Sequence, residues 1–100
     1  MMKTGMMLGF EESIEKMTAI ASAAEAAGID ALYTVDAGRS ATITAAAVIN
    51  ATSQVQVGTY IVNAYARDPW MTGIEARDLN EISGGRFVLG VGTGNLHFND

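Results

Sequence analysis

The stretch Ile82–Asn95 reads ISGGRFVLGVGTGN. Gly84-Gly85 halts whatever precedes it, Arg86 to Val91 is a short run of strand-forming residues, and Gly90, Gly92 and Gly94 then alternate with Val91 and Thr93. A strand that dissolves into glycines either turns at once or lets something approach its backbone where a Cβ would obstruct. The run is not a dinucleotide fingerprint, because Asn95 stands where the third glycine belongs. It has no Lys-Ser/Thr pair and is not a nucleotide phosphate loop. What remains is a row of backbone N–H groups with the Thr93 hydroxyl and the Asn95 amide, suited to an anion or to the flat of a ring. Taken alone, a tight strand-to-loop turn accounts for it more simply.

Working outward, Asp68-Pro69 reads as a helix cap followed by proline in the first helical position, and that helix runs to about Ile82. Before it, VQVGTYIVN forms a third strand near Val55–Val62. Thr42–Thr52 is an alanine-rich helix with Ile43, Ala46, Ala47 and Ile49 or Asn50 along it. IDALYTVD is a strand over Ala31–Val35 that ends at Asp36. Further back, Ser13 caps a helix with Glu15 in its first turn. Its stripe is Ile14, Met17, Ile20 or Ala21, and Ala24, and Gly28 marks its end. Lys3–Leu8 is a short first strand, and Arg86–Val91 the fourth.

Strand and helix therefore alternate throughout, which implies a parallel sheet with right-handed crossovers. Strand starts lie about 25–30 residues apart, a spacing shared by (β/α)₈ barrels and doubly wound sheets. In both, ligands bind at the carboxyl ends of the strands. Four places therefore matter: Leu8-Gly9-Phe10, Val35-Asp36, Tyr60 to Asn63, and Gly90 to Asn95.

Composition narrows the function. The chain has 100 residues, 49% of them hydrophobic, a single domain's worth of core-forming sequence. Its 11 acidic against 6 basic residues, with no basic cluster, argue against a nucleic-acid partner. There is no cysteine and hence no thiolate chemistry or disulfide frame, which fits the cytoplasm. MMKTGMMLGFEE is too briefly apolar for a signal peptide, and Met17–Ala27 is too short to span a bilayer. A soluble protein without a membrane partner is expected.

Of the side chains at the strand ends, Asp36 suits a hydrogen bond to a polar cofactor edge, and equally a turn or a cap. Arg67 suits a phosphate, but an ion pair near a helix start is commoner. His97, the single histidine, makes no metal site by itself. Trp70 and Met71 read as packing residues, and Glu11-Glu12 as a solvated helix approach. No nucleophile elbow or triad is present.

VQVGTYIVNAYARDP and LNEISGGRFVLGVGTGN together resemble the luciferase-like superfamily of flavin- and deazaflavin-dependent oxidoreductases. The shared pattern covers Gly58-Thr59, Arg67-Asp68-Pro69 and Leu79 to Gly94, and AEAAGIDALYTVD fits the family's first helix and second strand. The resemblance implies a partial (β/α)₈ TIM barrel with four parallel strands in the order 1-2-3-4 and outer helices. Residues 1–100 would form the amino-terminal part of one truncated barrel domain. It implies coenzyme F420 (a deazaflavin) or FMN as cofactor. Asp36, Tyr60, Ile61, Asn63, Gly92, Thr93, Gly94 and Asn95 would bind it, and a bulge with a non-proline cis peptide at Tyr60-Ile61 would back the ring. Asp36 matches an acidic position that touches the deazaflavin in some members, although Ala37 stands where those members often carry histidine. Asn95 replaces the glutamate acid of the sugar-phosphate dehydrogenase branch, so that reaction is not carried over, and no catalytic residue is assigned. The expected activity is hydride transfer to or from a small organic substrate. The alternatives are an FMN-dependent monooxygenase and, for so short a chain, an inactive fragment or assembly module. Half a barrel leaves open edges and an uncovered inner face, so a homo-oligomer is expected.

Overall fold

The computed structural model describes residues 3–9 and 11–93. Strand β1 (Gly5–Met7) leads to helix α1 (Ile14–Ala26), β2 (Ala31–Thr34), α2 (Ala41–Ala51) and β3 (Gln56–Thr59). Then come β4 (Val62–Asn63), α3 (Pro69–Ile82), β5 (Phe87–Val88) and β6 (Val91–Gly92). The main sheet is four-stranded, in the order β1-β2-β3-β5, and every pairing is parallel. These are the four strands expected from the sequence, side by side in chain order. The order does not reverse, so the doubly wound arrangement is excluded.

Local chemistry sets the helix ends. The Ser13 hydroxyl accepts from the Lys16 amide at 3.0 Å, and Ser40 does the same for Ile43 at 3.2 Å. The Asp68 carboxylate accepts from the Trp70 amide, with Pro69 in the first turn, where its missing N–H costs nothing. Gly28 (φ +93°) ends α1, and Gly84 and Gly85 (φ +67° and +87°) end α3, all in the left-handed region that favours glycine.

The sheet register explains the core. Met6, Leu32, Val57 and Phe87 stand opposite one another across the four strands and face the helices. Met17, Ala21 and Ala24 of α1, Ala45, Val48 and Ile49 of α2, and Leu79 of α3 pack on that row. Because all three helices lie on one face, the opposite row of Met7, Tyr33, Gly58 and Val88 forms the concave inner side. The Tyr33 ring lies over two glycines there. A Cβ on Gly5 would come within 2.9 Å of it, and one on Gly58 within 3.3 Å.

Three expectations are corrected. The third strand is not continuous from Val55 to Val62, because it breaks at Tyr60-Ile61. The fourth likewise breaks at Leu89-Gly90. The segments beyond the breaks, β4 and β6, pair with each other as a second, two-stranded parallel sheet. Ile43 is 66% exposed, while Thr42, Thr44, Ala45, Val48 and Ile49 are buried. Helix α2 is apolar nearly all round, so periodicity could not choose its inner face, and the threonines that turn inward bond locally: the Thr44 hydroxyl donates to the Ser40 carbonyl at 2.8 Å. Trp70 is 75% exposed and Met71 is also exposed. They sit off the Thr72–Leu79 side of α3 that the fold buries.

Candidate functional site

The carboxyl ends of β2, β4 and β6 meet at one rim. The Tyr60-Ile61 peptide there is cis, where the resemblance placed it. The chain around it is held on both sides. Toward β2, the Tyr60 amide donates to the Thr34 carbonyl at 2.7 Å and the Asp36 amide to the Ile61 carbonyl at 3.1 Å. Toward β6, the Val62 and Ala64 amides donate to the Gly90 and Gly92 carbonyls, each at 2.8 Å. The Tyr60 side chain projects from the rim 63% exposed, and its ring meets Tyr33 edge-on at a centroid distance of 6.2 Å.

Two of the glycines in the opening motif have a reason inside the chain. A Cβ on Gly90 would strike the Thr59 carbonyl oxygen, and a Cβ on Gly92 would strike the tip of the Ile61 side chain. Their lack of side chains lets β6 lie against the broken third strand. Of the two, the resemblance assigns Gly92 to the wall of a bound ring. In the structure the nearest claimants at these two positions are Thr59 and Ile61.

The Asp36 carboxylate is engaged from four directions. Its Oδ1 accepts from the Ala41 amide at 2.8 Å and from Nη2 of Arg67 at 2.7 Å. Its Oδ2 accepts from the Asn63 amide at 2.9 Å and from Nε of Arg67 at 2.6 Å. Arg67 also donates from Nη2 to the Ser40 hydroxyl at 3.1 Å and from Nη1 to Glu75 at 3.0 Å. The two side chains of the pair are only 13% and 18% exposed. Partial burial pushes the Asp36 carboxyl up, but the Arg67 hydrogen bonds, with those from Ala41 and Asn63, outweigh it and hold the group below its usual range. The hydrogen bonds to Asp36 raise Arg67 correspondingly, against a lowering from burial. Sequence reasoning named both residues but not their pairing, since nothing in a sequence marks two side chains 31 positions apart as partners.

Beside this pair lies an open depression of about 550 Å³, lined by Asp36, Arg39, Ser40, Asn63, Ala66 and Arg67 among others. The Asn63 side chain accepts from the Tyr65 amide at 2.9 Å. Thr93 is exposed at the end of β6. The rim thus gathers Asp36, Tyr60, Ile61, Asn63, Gly92 and Thr93. Phe10, Gly94, Asn95 and His97 lie outside the described residues.

The opposite end of the strands is held by charge. The Glu25 carboxylate accepts from the Ser53, Gln54 and Val55 amides at 2.7 to 3.2 Å. The Arg86 guanidinium donates to the Ile49, Thr52, Val55 and Ser83 carbonyls and to the Thr52 hydroxyl. The Arg of the Ser-Gly-Gly-Arg-Phe run is therefore a clasp joining the ends of α2 and α3 to the starts of β3 and β5.

Among known proteins, the chain is 34% identical over 94 residues to a candidate coenzyme F420-dependent oxidoreductase of Mycobacterium tuberculosis, covering 91% of this chain and 27% of that one. The coenzyme F420-dependent tetrahydromethanopterin reductase of Methanopyrus kandleri superimposes with a TM-score of 0.87 at 27% identity, over 93% of this chain and 27% of its own. The oxygenating constituent of 3,6-diketocamphane monooxygenase from Pseudomonas putida, solved with FMN, shares the fold with a TM-score of 0.79 at 19% identity, over 95% of this chain and 30% of its own. The chain thus spans about a quarter of the length of the relatives it matches. The family model for luciferase-like monooxygenases matches residues 1–98, and with the strand order and the rim described above, the chain belongs to the luciferase-like monooxygenase family.

Proposed function

We propose that this chain forms the first three strand–helix units and the fourth strand of a luciferase-like barrel, and that the complete barrel is a deazaflavin-dependent oxidoreductase acting on a small organic substrate. The observation that carries this reading is the likeness to the coenzyme F420-dependent reductase, which at 27% identity exceeds a bare likeness of fold. The rim's chemistry suits a planar ring. Tyr60 and Ile61 offer apolar surface, Gly92 and Thr93 offer backbone, and Asn63 offers a polar edge, all at strand carboxyl ends where such barrels place their sites.

When bound, the cofactor would supply the hydride chemistry. The chain's own part is to hold the ring's plane against the Tyr60–Ile61 segment and to keep polar groups at its edge. No side chain here is assigned as acid or base. FMN is the second reading, favoured by the monooxygenase description of the matching family model.

The test is to titrate the complete protein separately with oxidised coenzyme F420 and FMN, following fluorescence. Saturable binding of the deazaflavin, with FMN at least tenfold weaker, is expected. Tighter FMN binding overturns the choice of cofactor, and no binding of either overturns the reading. The same titration on residues 1–100 decides whether this portion is active in binding by itself.

A further inference from the structure

We propose that Asp36 is a positioning residue whose carboxylate extends β2 by one rung and so fixes the rim segment Ile61–Asn63. This rests on the reading of that segment as the cofactor wall. The ladder carries the argument. In a regular parallel pair, the residue whose amide donates to the carbonyl of residue 34 accepts the return bond, at its own carbonyl, from the amide of residue 36. The Tyr60 amide donates to the Thr34 carbonyl, so the Asp36 amide should meet the carbonyl of Tyr60. It meets that of Ile61 instead. One extra residue has entered the third strand, as in a bulge.

Carried forward with that shift, the next rung would bring the Asn63 amide to the Asp36 backbone carbonyl. The Asp36 carboxylate takes that bond instead, at 2.9 Å. Asp36 therefore grips the segment twice, by its backbone at Ile61 and by its side chain at Asn63. The remaining capacity of the carboxylate is closed by the first turn of α2, through the Ala41 amide, and by the Arg67 fork. An ionised carboxylate has about four acceptor positions, and the chain itself fills all four. Nothing is left over for a cofactor edge. Arg67 is anchored in turn by Ser40 and Glu75, so the loop after β4 is tied to the start of α2 and to the body of α3.

A positioning role differs from a direct contact in its coupling pattern. If Asp36 acts through the rim, Asp36→Asn and Arg67→Met each weaken deazaflavin binding by about tenfold, the factor for one charge-assisted hydrogen bond, and the double variant is no weaker than the worse single. Arg67→Lys, which keeps the charge but not the fork, falls between parent and Arg67→Met. A direct contact predicts a loss for Asp36→Asn that Arg67→Met does not share. That result overturns the proposal.

A second measurement needs no cofactor. In the complete protein, the amide proton resonances of Asn63 and Ala41 should titrate together with the Asp36 carboxyl and cease to do so in Asp36→Asn. Amides that ignore the carboxyl's titration sink the proposal even if the cofactor reading stands. If the parent binds neither cofactor, the reading of function fails while the amide titration still decides this one.

Discussion

The Thr59 hydroxyl donates to the Gly90 carbonyl and accepts from the Gly90 amide, each at 2.9 Å. One buried side chain thus closes the gap where the third and fourth strands both break. It meets the amide that the interrupted ladder would otherwise leave without a partner. Thr59→Val keeps the shape and removes both bonds. A buried amide left unpaired costs about 1–3 kcal/mol. We expect a stability loss of that size in urea unfolding, with an unchanged m-value.

Gly90 and Gly92 should respond differently to a methyl group. At Gly90 the new Cβ meets backbone oxygen, which cannot move aside without shifting the third strand. At Gly92 it meets the flexible end of Ile61. Gly90→Ala should cost about 2–3 kcal/mol or more, in the range of forced overpacking, and Gly92→Ala clearly less. Thermal melts of the two variants check the ordering, and equal losses would contradict the account given of these glycines.

Arg86 satisfies carbonyls from Ile49, Thr52, Val55 and Ser83 with a single planar group. A lysine carries the charge but not the fork, and a methionine carries neither. We expect Arg86→Met to destabilise by about 2–4 kcal/mol, as for loss of a hydrogen-bond network, and Arg86→Lys by roughly half as much. Chemical denaturation of both variants tests this. The rim is remote from Arg86, so the environment of Tyr60 in the folded variants should not change.

Glu25 and Asp36 make the fold sensitive to acid. Amide bonds from Gln54 and Val55 lower Glu25 from an ordinary value of 4.5. For Asp36, burial works upward, but the Arg67 and amide bonds prevail and lower it from 3.8. Groups depressed in the folded state stabilise it fully above their unfolded values, and that contribution is lost as pH falls through the folded ones. Stability should therefore hold down to about pH 5 and decline through pH 4 and below. Glu25→Gln should flatten part of that decline. An acid limb unchanged in Glu25→Gln would remove Glu25 from the account.

The concave face exposes Met7, Tyr60 and Val88, with no described element over them. Residues 1–100 taken alone should therefore self-associate. Sedimentation at rising concentration should show growing species, and Val88→Lys should reduce them. A concentration-independent monomer would count against this expectation.

Much of the architecture was legible in the sequence because it depends on local chemistry. Ser13, Asp68-Pro69, Gly28 and Gly84-Gly85 set helix ends through bonds within a turn or through backbone conformations that favour glycine, and alternation of elements with short connections leaves few ways to build a parallel sheet. The rim positions Asp36, Tyr60, Ile61, Asn63, Gly92 and Thr93 were legible as strand ends, and the cis bond only through family resemblance. Three features were decided by tertiary structure alone. The inner face of α2 went to Thr44 and Val48 over Ile43, because a helix apolar on every side takes its orientation from what it packs against. A Cβ at Gly90 or Gly92 would meet Thr59 or Ile61, neighbours about 30 residues away that no local pattern announces. Asp36 met Arg67 and the Asn63 amide because an added residue in the neighbouring strand shifted the ladder by one, and a shift of register exists only between strands.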